Sequence, residues 1–174
     1  MEQFEFGGTV IHDATVEEGY MSHLVVLPDE IAQVMTRAGV VRVVGELVPM
    51  DRDPVATPFR RALQKWSGDG LCLRFGMGWL RDAGIQVGEP LAIWVSADPN
   101  PDSVDVPFEL ERALRLDLEV ARYWGSLTPG RQRTLAYGIE RIKRPETRAR
   151  NAESMVADLR VEMEGGPRIG PKRR

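Results

Sequence analysis

Residues 126–150, SLTPGRQRTLAYGIERIKRPETRAR, decide how the C-terminal part of the chain folds. Thr128 is placed to cap a helix, because its hydroxyl can accept a bond from an amide one turn on. Pro129 follows at the first helical position, where its missing N–H costs nothing. Leu135, Ile139 and Ile142 recur at helical spacing and define one apolar stripe. Pro145 ends that helix and opens the next. The second helix is predicted to bury Ala152, Met155, Val156, Leu159 and Met163. The spacing therefore predicts a helical hairpin. It carries seven basic residues from Arg131 to Arg150, against only Glu140 and Glu146.

Downstream, GGPRIGPKRR is rich in Gly, Pro and basic residues, and residues 164–174 are predicted to be a disordered tail. Upstream, Pro107 to Leu114 and Leu118 to Trp124 read as two short helices, with Phe108, Leu110 or Glu111, and Leu114 offered to a core. Residues 107–163 thus form a helical module.

Residues 1–106 have a different pattern. Phe4 to Ile11 reads as a strand with a bulge or bend at Gly7-Gly8, and Tyr20 to Leu27 as a second strand after a turn at Glu17–Gly19. Asp29 is placed to cap a short helix with Ile31, Val34 and Met35 inward and Gly39 past its end. Val40 to Val48 is a third strand, and Pro49 to Pro58, with its prolines and aspartates, is a surface loop. Phe59 to Trp66 fits either a strand or two helical turns. Leu71 to Phe75 and Leu91 to Ala97 are strands, with a short helix from Trp79 to Ala83 between them, and Val104 to Val106 returns briefly as a strand. Short strands with Gly-rich turns predict a small barrel, so the fold class is α+β: a β-barrel with a short capping helix, then helices.

Composition narrows the function. A hydrophobic fraction of 43% supports a packed core. The single cysteine, Cys72, excludes an intramolecular disulfide and sits in an apolar run as a buried small hydrophobe. No apolar run reaches the ~20 residues of a membrane span, and the N-terminus lacks the pattern of a secretory signal, so a cytoplasmic location is expected. The net charge of −3 is unevenly spread. Residues 1–125 hold 11 Lys/Arg and 20 Asp/Glu, for −9, and residues 126–174 hold 12 and 6, for +6. That split implies either internal docking of opposite charges or an anionic partner for the basic end.

The stretches F-x-F-G-G-T-V at the start, Val26-Leu27-Pro28, Arg42-Val43-Val44-Gly45, Phe59-Arg60, Leu80–Ile85, Val87-Gly88 and Val106-Pro107 together resemble a bacterial domain-of-unknown-function family with a double-split β-barrel. Trp124, Leu127, Pro129, Tyr137, Ile139, Lys143 and Thr147-Arg148 resemble the bacteriocin-protection module, also called YdeI/OmpD-associated. The first resemblance implies a fold akin to the swapped-hairpin barrels of AbrB/MazE-type DNA-binding proteins. The second implies a role in antimicrobial-peptide or envelope stress, with no catalytic residues to carry over. The chain departs from the barrel pattern at a long acidic loop, Asp51–Thr57, and at Glu89-Pro90.

Candidate sites follow from charge. Arg148 lies four residues before Ala152 and seven before Met155, so it falls beside the apolar face. It either bridges to an acid of the barrel or to carbonyls at a helix end, or forms an anion site with Lys143, Arg144, Thr147 and Arg150 at the start of the second helix. Arg60, Arg61 and Trp66 are a secondary candidate, since basic and aromatic residues interleaved can hold a phosphate backbone. Phe59, Leu63 and Trp66 would instead be core if that run were helical. The tryptophans at 66, 79, 94 and 124 are read as core or barrel-mouth residues, and Trp94 as core with a pocket as the alternative.

His12 and His23 have no partner at metal-ligand spacing, and no G-x-S-x-G or phosphate-loop glycine pattern is present. No cofactor, metal or catalytic constellation is therefore expected. The expected partner is an anionic ligand or an acidic protein, with nucleic acid as the alternative, and the expected state is a monomer or homodimer.

Overall fold

A computed structural model describes residues 2–14, 21–67 and 70–170. The chain separates into two compact units, residues 1–101 and 102–174. Among the described residues the fold is mixed α+β, with strands confined to the first unit and four helices in the second.

The first unit is a curled, half-barrel sheet of seven strands: β1 (Gln3–Thr9), β2 (Ile11–His12), β3 (His23–Val26), β4 (Arg42–Pro49), β5 (Thr57–Trp66), β6 (Gly70–Phe75) and β7 (Pro90–Ala97). Their order is β1-β7-β4-β5-β6-β3-β2, antiparallel throughout. β1 and β2 lie at opposite edges yet are separated in sequence by Val10 alone, so a single run of chain joins the two edges and forces the sheet to curl. Val10 is fully buried, and its carbonyl accepts from the Gly88 amide at 2.9 Å. The bulge or bend expected at Gly7-Gly8 is absent: both stay in register with Ala92 and Leu91, and the chain turns at Val10 instead.

Alternation along the strands sets the inner face. Phe6, Val25, Val43, Leu47, Phe59, Leu73, Phe75, Leu91, Ile93 and Val95 fill it. Helix α1 (Asp29–Arg37) adds Ile31, Ala32 and Met35, and helix α2 (Met77–Asp82) adds Leu80. Pro28, not Asp29, stands at the N-cap of α1, and Asp29 instead places its charge in the first turn, where the helix dipole favours it. Val34 is 41% exposed, its place inside taken by Ala32. Gly39 ends α1 and Gly84 follows α2, both with φ near +65°, a conformation glycine adopts without a Cβ penalty. The run from Phe59 to Trp66 is strand, pinned on both sides by β4 and β6.

The second unit holds α3 (Phe108–Arg115), α4 (Leu118–Ser126), α5 (Pro129–Glu140) and α6 (Pro145–Met163). Thr128 caps α5 as the sequence predicts, accepting from the Arg131 amide at 3.4 Å. Leu110, Leu114, Val120, Trp124, Leu135, Ile139, Ala152, Val156 and Leu159 form its core. Phe108 is 70% exposed, because it begins α3 on the face away from Leu110 and Leu114. Val104 to Val106 pairs with no strand and packs against the helical core instead.

The expected disorder from residue 164 gives way to a packed strap as far as residue 170. Gly165 (φ +95°) closes α6, the Gly166 amide reaches the Val161 carbonyl at 2.9 Å, and Ile169 packs on the helices. The turn expected at Glu17–Gly19, the centre of the turn at 67–70 and the last four residues lie outside the described residues.

Candidate functional site

The charge split first read along the chain is resolved inside the helical unit. Residues 1–101 carry 8 Lys/Arg and 14 Asp/Glu, for −6, and residues 102–174 carry 15 and 12, for +3. Acids of α3 and of the start of α4 pair with arginines of α6, and Arg131 of α5 pairs with Glu162 of α6. Arg148 donates to Glu109 at 2.6 Å and to the Ile142 carbonyl at 3.5 Å. Arg160 makes a two-pronged contact with Asp117, at 2.7 and 2.9 Å, and reaches Glu119 at 3.2 Å. Arg131 pairs with Glu162 at 2.5 Å.

These pairs fix protonation. Glu109 is held below the usual carboxylate range, first by a backbone amide and then by Arg148. Asp117 is lowered by Arg160 and by the Val120 amide it caps. Arg160 is pushed further up by Asp117 and Glu119. Glu162 falls to about 2, because Arg131, the Ile169 amide and the Tyr123 hydroxyl all donate to it. Tyr123 is in turn raised by the carboxylate it faces.

Arg148 is thus a structural cation, and the acid it bridges lies on α3 of its own unit. Thr147 is half-buried, its carbonyl taken by the Asn151 side chain at 2.8 Å. Lys143, Arg144 and Arg150 are exposed and, among the described residues, enter no ion pair or hydrogen bond through their side chains. Arg144 is the N-cap of α6, without a side-chain cap, and Pro145 occupies the first helical position. The first turn of α6 therefore presents the amides of Glu146 and Thr147 beside two free cations. Sequence reasoning brought five residues together here; the fold leaves three of them available.

The secondary candidate does not converge. On strand β5, Arg60 and Arg61 point to opposite faces. Arg60 is bound to Asp98 at 2.5 and 3.0 Å and to the Asn100 carbonyl. Asp98 is buried and also meets Arg42 at 3.3 Å; burial alone would raise its carboxyl, but Arg60, the Asn100 amide and Arg42 outweigh it and hold it below the ordinary value. Arg61 lies over the Phe75 and Trp79 rings, 5.4 and 5.1 Å from their centroids. Trp66 is at the far end of β5, opposite Gly70.

The long acidic loop and Glu89 meet each other. Arg52 of the long loop pairs with Glu89 at 3.2 Å and donates to the Gly84 carbonyl. His23 is buried beside Ser22, with its ring 5.2 Å from that of His12. Burial and the neighbouring His12 lower its pKa. Among the described residues no group of His, Cys, Asp and Glu is placed to hold a metal ion, and no helix is long and apolar enough to cross a membrane.

Trp94 corrects the reading of a core residue. Its neighbours Ile93 and Val95 point inward, so alternation turns Trp94 to the outer face of the sheet. There it lines a groove of about 600 Å³ with Gln3, Val44, Glu46, Pro58, Arg60 and Ser96. The signal that could have found it is the strict alternation of LAIWVSA, which gives a sheet covered on one face only.

No curated protein matches the chain. Within the helical unit, residues 103–161 match the family described as bacteriocin-protection, YdeI or OmpD-associated.

Proposed function

We propose that this protein is a non-enzymatic binding protein of bacteriocin-protection character, which contacts an anionic ligand or an acidic protein partner through Lys143, Arg144 and Arg150. The observation that carries this reading is the sorting of cations in the helical unit. Arg131, Arg148 and Arg160 are all used to hold helices together, while Lys143 and Arg144 at the start of α6 and Arg150 in its second turn stand exposed and unpaired. Long flexible cations left without partners keep their charge available to a ligand. The family match supports the protective role.

The nucleic-acid alternative is weakened by the commitment of Arg60 to Asp98 and by the net −6 of the first unit, which repels a phosphate backbone. The test is titration with an oligo-glutamate peptide and, separately, a single-stranded oligonucleotide. The expected result is binding of the acidic peptide that is lost in Lys143→Ala/Arg144→Ala/Arg150→Ala while the thermal midpoint is unchanged. Equal binding by wild type and variant would remove this surface from the account. Preference for the oligonucleotide would return the assignment to nucleic acid.

A further inference from the structure

The outer face of the sheet carries a second surface of opposite character, independent of the basic helix start. Register places Glu5 and Glu46 directly across from Trp94, one on β1 and one on β4, so a carboxylate flanks the indole on each side. Pro58 lies across from Glu46 on β5 and continues the row. The next row is Gln3, Ser96, Val44 and Arg60. Among the described residues, Glu5 and Glu46 enter no ion pair and the Trp94 ring meets no other aromatic ring, cation or hydrogen-bond acceptor. This contrasts with Asp13, Asp98 and Glu162, each of which holds an arginine. Arg60, the one cation lining the groove, has its charge taken up by Asp98.

A partly exposed indole bracketed by two unpaired carboxylates is complementary to a cation on an aliphatic stem. The ring quadrupole attracts the charge, the carboxylates pair with it, and the indole and proline cover the methylenes. The groove runs across strands over two rows of side chains, which is long enough for an extended segment rather than a single ion. We propose that this groove binds a lysine- or arginine-bearing peptide segment of a partner, with one basic side chain seated on Trp94 between Glu5 and Glu46. Charge complementarity selects that occupant: the unit that carries the groove has a net charge of −6.

Gly45 shapes the site from beneath. A Cβ at this position would lie 2.0 Å from the Trp94 carbonyl oxygen and 2.7 Å from the Phe59 ring. Only glycine lets β4 approach β7 this closely, and that approach sets where the indole stands relative to Glu46.

The test is fluorescence titration of the full chain with an octapeptide of alternating glycine and lysine. The controls are the matching glycine–glutamate peptide and free lysine. Expected is saturable binding by the lysine peptide, weakened about tenfold or more in Glu5→Gln/Glu46→Gln, an isosteric pair that leaves the exposed strand positions filled. Trp94→Phe removes the fluorescence response and keeps weaker binding by calorimetry. Lys143→Ala/Arg144→Ala/Arg150→Ala binds the lysine peptide as wild type does, which separates this site from the proposed anion surface. Four results overturn the proposal: no saturable binding, no effect of Glu5→Gln/Glu46→Gln, equal binding of free lysine, or self-association of the wild type that the same double variant abolishes. The last would make the occupant a second copy of the chain.

Discussion

Replacing Glu162 by glutamine tests whether the strap after α6 belongs to the fold. The carboxylate accepts from Arg131 at 2.5 Å, the Tyr123 hydroxyl at 2.7 Å and the Ile169 amide at 2.9 Å, and its side chain is only 7% exposed. Glutamine keeps the shape and one acceptor oxygen but loses the charge. A charge-assisted bond contributes about 1.5–3 kcal/mol. Linkage gives a second value. Glu162 ionises at about 2 in the fold against an ordinary 4.5, which corresponds to about 3 kcal/mol at neutral pH. Because the folded pKa is depressed, this stabilisation is fully present above pH 4.5 and is lost as pH falls through about 2. The assay is urea unfolding followed by Trp124, the one tryptophan in residues 102–174. At pH 7 the variant is expected to lose about 2–3 kcal/mol, and the gap to wild type should nearly close by pH 2. A gap that is equally large at both pH values, or below about 0.5 kcal/mol at pH 7, would mean that the Glu162 charge does not anchor the strap.

Other expectations follow from single residues. Gly45→Ala should cost about 3 kcal/mol or more in denaturant unfolding of the sheet unit, because the new Cβ meets backbone rather than a side chain that can swing away. Asp98→Asn leaves Arg42 and Arg60 facing a neutral group and should cost about 3 kcal/mol in the same assay, whereas Arg52→Ala, on an exposed pair, should fall within about 0.5 kcal/mol of wild type. Cys72 is fully buried and its thiol is raised by that burial, so iodoacetamide should label it only on unfolding, as read by mass spectrometry.

The helical hairpin was legible because its signals are local. Thr128-Pro129 and Pro145 each fix a helix start by chemistry within one turn, and the stripe Leu135, Ile139, Ala152, Val156, Leu159 carries its own period. The side of Arg148 was legible for the same reason, although its partner Glu109 was not, since nothing local links residues 39 apart. Phe59 to Trp66 was ambiguous because its spacing fits both periods, and β4 and β6 decided it from outside the segment. The edge-joining role of Val10 depends on pairing with β7 on one side and β3 on the other, a relation between distant strands. The strap was misread because Gly, Pro and Arg dominate its composition, while one isoleucine and one glutamate hold it down. The charge asymmetry was real as arithmetic, but its boundary at residue 125 cut through the helical unit and hid the pairing of α3 and α4 with α6.

The division of arginines into those that hold helices and those that face a ligand is tested most directly by heparin binding as a function of salt, with the thermal midpoint measured in parallel. Lys143→Ala/Arg144→Ala/Arg150→Ala should reduce the slope of log affinity against log salt by about 2–3, as expected for three lost contacts, with the midpoint unmoved. Arg148→Ala should do the reverse, lowering the midpoint by several degrees and leaving the slope close to wild type. A lost slope in Arg148→Ala, with full binding retained by the triple variant, would contradict the account.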